Sequence, residues 1–145
     1  MGFRVLALAL AVAGLLGAAP ATPGATLTVT LAGIRSDRGS IFCELFASPK
    51  GYPTDASKAV QRKQAAISQR AARCVFEGLA PGTYVVAAYH DENGNGKLDT
   101  NFLGIPSEGV AASNDAKGTM GPPSFDKAKL SIATADLGIT IHLSY

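Results

Sequence analysis

The feature that most constrains the fold is a repeated alternation of apolar and polar residues, the pattern of a strand with one buried face. Leu27, Val29 and Leu31, for example, alternate with threonines. Segments of this kind, separated by turn-forming residues, occur at residues 27–31, 39–47, 64–68, 73–77, 83–90, 127–132 and 139–143. About seven short strands of this type predict an all-β fold, an antiparallel sandwich of two sheets.

Two of these segments are apolar on both faces. In residues 39–47, Ile41 and Leu45 lie on one face and Phe42 and Phe46 on the other, and residues 83–90 show the same character. Strands of this kind are typical of sheet centres that are covered on both sides. Before the segment at 64–68, the Ala-, Gln- and Lys-rich residues from 56 onward predict a short helical turn.

The N-terminal segment has the three parts of a secretory signal peptide. Arg4 is followed by an apolar run at residues 5–16 and by small residues at 17–25. The run has about 12 residues, whereas a membrane-spanning helix needs about 20, so a retained anchor is the weaker alternative. We expect a signal peptide at residues 1–25, cleaved between Ala19 and Thr26, and a single domain at 26–145. The mature protein is then periplasmic or secreted and has no membrane span.

Charge and cysteine content restrict the class of protein further. The formal net charge is +2, and the basic residues are scattered along the chain, so nucleic acid is not an expected partner. The two cysteines, Cys43 and Cys74, are too far apart in sequence for a CxxC motif. In an oxidising compartment such a pair favours a disulfide. Two buried thiols that do not meet are the alternative.

Residues 91–126 form a long stretch without a strand pattern, and long loops in compact domains are commonly functional. Side-chain oxygens occur there at alternate positions, and Gly96 permits a tight turn. This spacing resembles a calcium-binding loop, although Phe102 stands where an EF-hand has its last glutamate. The predicted calcium ligands are Asp91, Asn93, Asn95, the backbone carbonyl of Lys97, Asp99 and Glu108. Calcium is the only cofactor predicted, at a weak site.

The same residues have a simpler interpretation. Asn93-Gly94 and Asn95-Gly96 are turn dipeptides, and Asp and Asn side chains can accept hydrogen bonds from their own backbone without an ion.

Apolar residues also occur inside this polar stretch. We expect Phe102, Leu103, Ile105 and Val110 to pack back onto the sandwich, because a long loop needs packing to stay ordered. The alternative is an exposed patch that contacts a protein or a glycan. The predicted interaction loop spans residues 101–113, with Asn101, Phe102, Ile105, Pro106, Glu108 and Ser113 as its contact residues.

Residues 89–109, from Tyr89 to Gly109, resemble the hallmark of a family of exported bacterial proteins, the domain of unknown function two-one-four-one. Residues 76–84, 113–114 and 122–125 are similar to that family as well. The segment 76–84 also resembles the turn and strand of transthyretin-like and immunoglobulin-like modules. The resemblance implies a small exported β-rich domain and brings no established activity.

The function predicted from these features is a non-catalytic binding module, and no catalytic residue is assigned. The alternative is a small periplasmic hydrolase that uses His90 with loop carboxylates, for which His90, Asp91 and Ser107 are the candidate trio. Paired carboxylates, Asp91 with Asp99 or Glu92 with Glu108, are the glycosidase version of that alternative. His142 lies on the polar side of the last strand, where we expect it to be simply solvated.

Overall fold

The computed structural model describes Gly17 and residues 23–145, and residues 25–142 contain its strands. The elements are β1 (Ala25–Ala32), β2 (Ser40–Phe46), β3 (Gln61–Ala66), β4 (Ala72–Leu79), β5 (Gly82–Asp91), β6 (Val110–Ala112), α1 (Phe125–Ala128), β7 (Leu130–Ile132) and β8 (Leu137–His142). The smaller sheet has the order β4-β1-β8 and the larger sheet β3-β2-β5-β6, with β7 paired to the start of β5. This arrangement confirms the predicted all-β sandwich.

The core lies between the two sheets. On β1 every second residue is buried, and Leu27, Val29 and Leu31 are fully inaccessible to solvent. They meet the inward-facing residues of the larger sheet, among them Ile41 and Leu45, in one continuous apolar cluster. The period-two pattern of the sequence therefore corresponds to the buried inner faces of the strands.

A disulfide joins the two sheets through this core. Cys43 on β2 is bonded to Cys74 on β4, with 6.5 Å between their Cα atoms, and both residues are buried. The predicted disulfide is thus confirmed. Because it closes a long segment of chain, it restricts the unfolded state and stabilises the fold by about 2–4 kcal/mol.

The outer face of the larger sheet is covered as well, which accounts for the two strands that are apolar on both faces. Tyr52 packs edge-on against Phe46 of β2, with ring centroids 5.5 Å apart, and against Phe125 of α1 at 5.9 Å. Val85 of β5 is fully buried under the same cover, together with Ala128.

Several details differ from the sequence prediction. The pairing of β1 with β8 is parallel, whereas all other strand pairs are antiparallel. The strand predicted at 127–132 is shortened to β7, because Ser124 caps α1 by accepting a hydrogen bond from the Lys127 amide at 3.4 Å. The stretch 91–126 is less irregular than predicted, since it contains β6, a short 3₁₀ helix at Ser113–Asp115 and the start of α1.

The helical turn predicted from residue 56 is present as a 3₁₀ helix at Ala56–Lys58. The strand that follows it begins and ends earlier than predicted, at residues 61 and 66 rather than 64 and 68.

The first strand begins one residue before position 26, where the sequence prediction places the start of the domain. Ala25 belongs to β1 and is 2% exposed. Gly24 lies so close to the end of β4 that a Cβ there would come within 2.4 Å of the Gly78 carbonyl carbon. The rest of the predicted signal peptide, residues 1–16 and 18–22, lies outside the described residues. Among the described residues, no helix has the length and apolar character needed to cross a bilayer.

β5 connects the two ends of the sandwich. At its first residue, Gly82, the chain enters from the turn after β4, next to the start of β1. At its last residue, Asp91, it pairs with the start of β2 and leaves into residues 92–109, which we call the long loop. The long loop therefore lies at the end of the sandwich opposite to residues 23–25.

Candidate functional site

Asp91 organises the first half of the long loop. It is 2% exposed, and its two carboxylate oxygens accept hydrogen bonds from the backbone amides of Asn95, at 3.0 Å, and Gly96, at 2.8 Å. Gly94 and Gly96 have φ angles of 75° and 81°, which allow the backbone to turn around the carboxylate. The buried charge is therefore balanced by oriented backbone N–H groups.

Glu108 holds the two sides of the long loop together. It is 6% exposed, and its carboxylate oxygens accept hydrogen bonds from the backbone amides of Glu92, at 2.9 Å, and Asp99, at 3.0 Å. Because it joins the start of the loop to its middle, Glu108 closes the loop at its root. We call Asp91, Glu92 and Glu108, with the amides they bind, the loop base.

Asp99 is the acceptor for two side-chain amides. The Nδ2 atoms of Asn93 and Asn95 both donate to its carboxylate, at distances between 2.6 and 3.0 Å. These hydrogen bonds, Asn95 first, lower the pKa of the Asp99 carboxyl below its usual value. The structure thus brings three of the predicted calcium ligands into one cluster.

This cluster does not have the form of a calcium shell. The Oδ1 atoms of Asn93 and Asn95 accept hydrogen bonds from the backbone amides of Asn95 and Lys97, at 3.2 and 3.1 Å, so both side chains turn nitrogen toward Asp99. Calcium binds oxygen atoms. In the described part of the chain, moreover, no three His, Cys, Asp or Glu side chains meet in a group suited to a metal ion. Calcium binding stays a prediction, and it requires both amides to rotate.

Glu92 ties the loop base to the connection between β1 and β2. It accepts hydrogen bonds from the Arg35 guanidinium, at 2.5 and 3.0 Å, and from the Ser36 hydroxyl, at 2.7 Å. These partners, Arg35 first, lower the pKa of Glu92 to about 2. Glu92, Glu108 and Asp99 also line an open polar cavity of about 210 Å³, to which Arg38 of the β1–β2 connection contributes as well.

His90 is fully buried beneath the loop base, and both of its ring nitrogens have partners. Nε2 lies 2.6 Å from the Arg38 carbonyl oxygen, and Nδ1 lies 2.8 Å from the Tyr145 hydroxyl. Because a carbonyl can only accept, Nε2 donates to it, and in the tautomer protonated only on Nε2 the Nδ1 atom accepts a hydrogen bond from the Tyr145 hydroxyl. The predicted hydrolase alternative gains nothing from this placement, since His90 has no nitrogen directed toward a substrate.

Ser107 and His142 also have structural partners. The Ser107 hydroxyl donates to the Asp99 carbonyl oxygen at 3.1 Å, which helps to close the loop. His142 is exposed, but it is not simply solvated as predicted. Its Nδ1 lies 2.8 Å from an Asp115 carboxylate oxygen, and its backbone amide donates to the other oxygen at 2.7 Å.

Residues 101–106 form the loop tip, which is a tight turn closed by the pairing of Thr100 with Pro106. The Asn101 side-chain oxygen accepts hydrogen bonds from the amides of Leu103, at 2.9 Å, and Ile105, at 3.1 Å. The backbone amide of Asn101 donates a hydrogen bond to the Ile105 carbonyl oxygen, and the Gly104 amide donates to the Asn101 carbonyl oxygen. The tip is therefore ordered by its own hydrogen bonds.

The apolar side chains of the loop tip face solvent. Phe102 is 96% exposed, Leu103 68% and Ile105 55%. The expectation that they pack onto the sandwich is wrong, and of the four residues named for it only Val110, in β6, joins a sheet. The loop is ordered through the buried carboxylates of its base, so apolar packing at its tip is not needed.

The predicted contact residues divide into two groups. Asn101, Phe102, Ile105 and Pro106 are exposed on the loop tip, whereas Glu108 and Ser113 are buried. The Ser113 hydroxyl accepts from the Val86 amide at 3.0 Å and donates to the Ala128 carbonyl. Ser113 therefore joins β5 to α1 rather than contacting a partner.

Sequence reasoning missed a second support for the loop, on the outer face of the larger sheet. Arg62 of β3 donates to the Tyr89 hydroxyl at 2.7 Å and lies 3.1 Å from Glu44, and Tyr89 donates to the Gly96 carbonyl at 3.2 Å. Burial raises the pKa of the Glu44 carboxyl, and Arg62 opposes that rise. The sequence signal for this support was the position of Glu44 between Phe42 and Phe46 on β2, a charged residue on an otherwise apolar face.

Fold and site together define a class of protein, a small disulfide-linked β-sandwich with a long loop that is polar at its base and apolar at its tip. Residues 29–140 match the model of a family described as "Uncharacterized protein conserved in bacteria (DUF2141)". The match covers more than half of the chain, which therefore belongs to this family, as residues 89–109 predicted. No curated protein and no solved structure matches the chain.

Proposed function

We propose that this protein is an exported, non-catalytic binding module whose contact surface is the loop tip, residues 101–106. The observation that carries the proposal is the exposure of Phe102, Leu103 and Ile105 on a turn that is already ordered. Exposed apolar groups of this size are typical of interaction sites. The tip contains no charged residue, so its complement is an apolar surface.

The order of the tip matters for affinity. A flexible loop loses conformational entropy when it binds, whereas a preorganised loop has little left to lose. The hydrogen bonds to Asn101 fix the tip itself, and those to Asp91 and Glu108 fix the base. Burying Phe102 on a partner would contribute about 1.5–3 kcal/mol, so substitution at this position has a measurable effect on binding.

Export is supported by the sequence of residues 4–25 and by the Cys43–Cys74 bond, because disulfides persist in oxidising compartments. The proposal includes a cleavage position. Since Gly24 and Ala25 belong to the folded domain, cleavage upstream of Gly24 retains its first strand intact. The intact mass of the chain recovered from outside the cytoplasm tests this proposal. A mass corresponding to the uncleaved chain contradicts it.

Site-specific photo-crosslinking tests the contact surface. Phe102→benzoylphenylalanine retains an aromatic ring at the tip, and Met120→benzoylphenylalanine is the matched control because Met120 is 99% exposed elsewhere. In producing cells we expect a discrete light-dependent adduct from position 102 only. Adding Leu103→Asp and Ile105→Asp removes that adduct if the tip is the contact surface. The same adducts from both positions contradict the proposal.

A further inference from the structure

The long loop contains both Asn-Gly dipeptides of the chain, Asn93-Gly94 and Asn95-Gly96. Asparagine before glycine is prone to deamidation, because glycine has no Cβ to hinder attack of its backbone nitrogen on the asparagine side chain. All four residues are exposed. A Cβ built on either glycine would meet nothing beyond its chain neighbours within 4 Å. Sequence context and exposure therefore do not distinguish the two dipeptides.

The side chains of the two asparagines also make equivalent contacts. Each Oδ1 atom accepts a hydrogen bond from the backbone amide two residues further along, at 3.2 Å for Asn93 and 3.1 Å for Asn95. Each Nδ2 atom donates to the Asp99 carboxylate, at 2.6 Å from Asn93 and at 2.9 and 3.0 Å from Asn95. A donor on Oδ1 stabilises the negative charge that develops there when Cγ is attacked, and both sites have one.

The two sites differ at the backbone nitrogen that attacks. The Gly96 amide donates to the buried Asp91 carboxylate at 2.8 Å. In the part of the chain that the structure describes, the Gly94 amide has no hydrogen-bond partner. To attack Cγ, the nitrogen must lose its proton. At Gly96 this step breaks a hydrogen bond to a charged acceptor and places a developing negative charge beside a carboxylate.

We propose that Asn93 is a site of spontaneous deamidation and that Asp91 protects Asn95 from the same reaction. The Gly94 nitrogen gives its proton to water and forms a bond to Cγ of Asn93. The bond between Cγ and Nδ2 breaks, and the amine takes up a proton and leaves as ammonia. Water then opens the cyclic imide at either carbonyl, which yields aspartate or isoaspartate. The reaction does not depend on what the loop tip contacts.

The product changes the charge within the loop. The neutral amide that donates to Asp99 at 2.6 Å is replaced by a carboxylate, so an attraction becomes a repulsion between like charges. The hydrogen bonds of Glu108 to the amides of Glu92 and Asp99 do not involve Asn93. The turn at residues 93–97 therefore loosens while the root of the loop stays closed, and this change accumulates with the age of the molecule.

Site-resolved mass spectrometry tests the proposal. The purified full-length protein is incubated at mildly alkaline pH, and electron-transfer fragmentation assigns each deamidated product to position 93 or 95. In the folded protein we expect Asn93 to react at least about tenfold faster than Asn95, the factor that one hydrogen bond to a charged acceptor contributes. In guanidinium chloride, where the contact with Asp91 is lost, the two rates should converge.

Matched variants separate the two sites. A glutamine side chain is one methylene longer and cyclises far more slowly, so Asn93→Gln should remove the modification and Asn95→Gln should leave it unchanged. Asp91→Asn removes the charge that holds the Gly96 amide. Deamidation at Asn95 should therefore rise in this variant relative to deamidation at Asn93.

The effect of the product on the loop is measured with Asn93→Asp beside Asn93→Gln, which keeps the side chain neutral. Amide hydrogen exchange at Asn95 and Gly96 should be about twofold to fivefold faster in Asn93→Asp, as expected for one exposed charge interaction. Exchange at Glu92 and Asp99 should be the same in both variants, because Glu108 holds these amides.

Three results of the incubation overturn the inference. Equal rates at the two asparagines of the folded protein show that the contact with Asp91 gives no protection. A faster reaction at Asn95 shows that Gly94 is the restrained amide. No product at position 93, over a period in which the denatured protein reacts, shows that the folded loop protects both sites. Equal amide exchange in Asn93→Asp and Asn93→Gln overturns the loosening of the turn.

Discussion

The base and the tip of the long loop differ in which residues face water. At the base, the carboxylates of Asp91 and Glu108 are 2% and 6% exposed. A few residues away, Phe102 is 96% exposed and Leu103 68%. In most proteins charged groups are outside and large apolar groups are inside, so this segment reverses the usual distribution over a short length of chain.

The difference shows how an apolar surface can be kept ordered without being buried. Each buried carboxylate accepts two backbone amides, so the backbone of the loop is held by polar contacts at its root. The order of the tip then does not depend on packing Phe102 against the sandwich. Base and tip should respond differently to substitution, and four experiments compare them, from the largest expected effect to the smallest.

Removing the carboxylate of Glu108 should have the largest effect. Glu108→Ala leaves the part-buried amides of Glu92 and Asp99 without their acceptor. An unsatisfied group costs about 1–3 kcal/mol when it is fully buried, so we expect the free energy of unfolding in urea to fall by about 2 kcal/mol. Glu77→Ala, at an exposed position of β4, is the control. A decrease in unfolding free energy below about 1 kcal/mol contradicts the proposal that Glu108 holds the two sides of the long loop together.

Acid should weaken the connection between the loop base and Arg35. The pKa of Glu92 is lowered to about 2 in the folded protein, so its contribution is fully present above the ordinary value of about 4.5 and is lost as pH falls toward 2. The ion pair is partly exposed, which limits its contribution to about 0.5–1 kcal/mol.

The measurement is urea unfolding of the wild type and Glu92→Gln between pH 7 and pH 2. The stability difference between the two proteins should shrink as the pH falls. A difference that is constant with pH contradicts the role assigned to the pair.

Truncating the loop tip should leave stability unchanged. Phe102→Ala removes a side chain that is almost fully exposed, and surface substitutions of this kind change stability by less than about 0.5 kcal/mol. Thermal and urea unfolding of this variant should match the wild type. A loss of about 2 kcal/mol would mean that the ring is buried in solution, as the sequence first suggested.

Adding calcium should change the stability of the protein least. A site with a dissociation constant of about 10⁻³ M would stabilise the protein by about 0.4 kcal/mol at 1 mM calcium, and a tenfold tighter site by about 1.4 kcal/mol. Because Asn93 and Asn95 turn nitrogen toward Asp99, we expect the melting temperature to be the same in calcium and in chelator. A shift that Asp99→Asn abolishes would show that the amides rotate to bind the ion.

The sequence predicted the parts of the molecule that local patterns encode. Alternation identified the strands. Phe42 and Phe46, which lie on the face of β2 opposite to the core, correctly indicated that the outer face of the larger sheet is covered. The spacing of Asp91, Asn93, Asn95 and Asp99 predicted a turning loop whose side-chain oxygens gather around a calcium ion, and the structure brings Asn93, Asn95 and Asp99 together through amide-to-carboxylate hydrogen bonds. Whether that turn also holds an ion depends on the rotation of two amides, which spacing does not specify.

Contacts between distant segments could not be predicted in this way. The partners of His90 are Arg38 and Tyr145, each more than 50 positions away in the chain. The exposure of Phe102 depends on how Glu108 anchors the loop, and nothing in residues 101–105 distinguishes an exposed apolar turn from one packed on a sheet. The parallel pairing of β8 with β1 likewise depends on the completed fold.

The central claim is that buried carboxylates hold the long loop in one shape and so present its apolar tip. Amide hydrogen exchange in residues 92–109 tests it most directly, with Glu108→Ala beside the wild type. We predict slow exchange at Glu92, Asn95, Gly96 and Asp99, whose amides bind the two carboxylates, and faster exchange throughout the loop in the variant. Exchange of these four amides at the rate of an unstructured peptide in the wild type would contradict the claim.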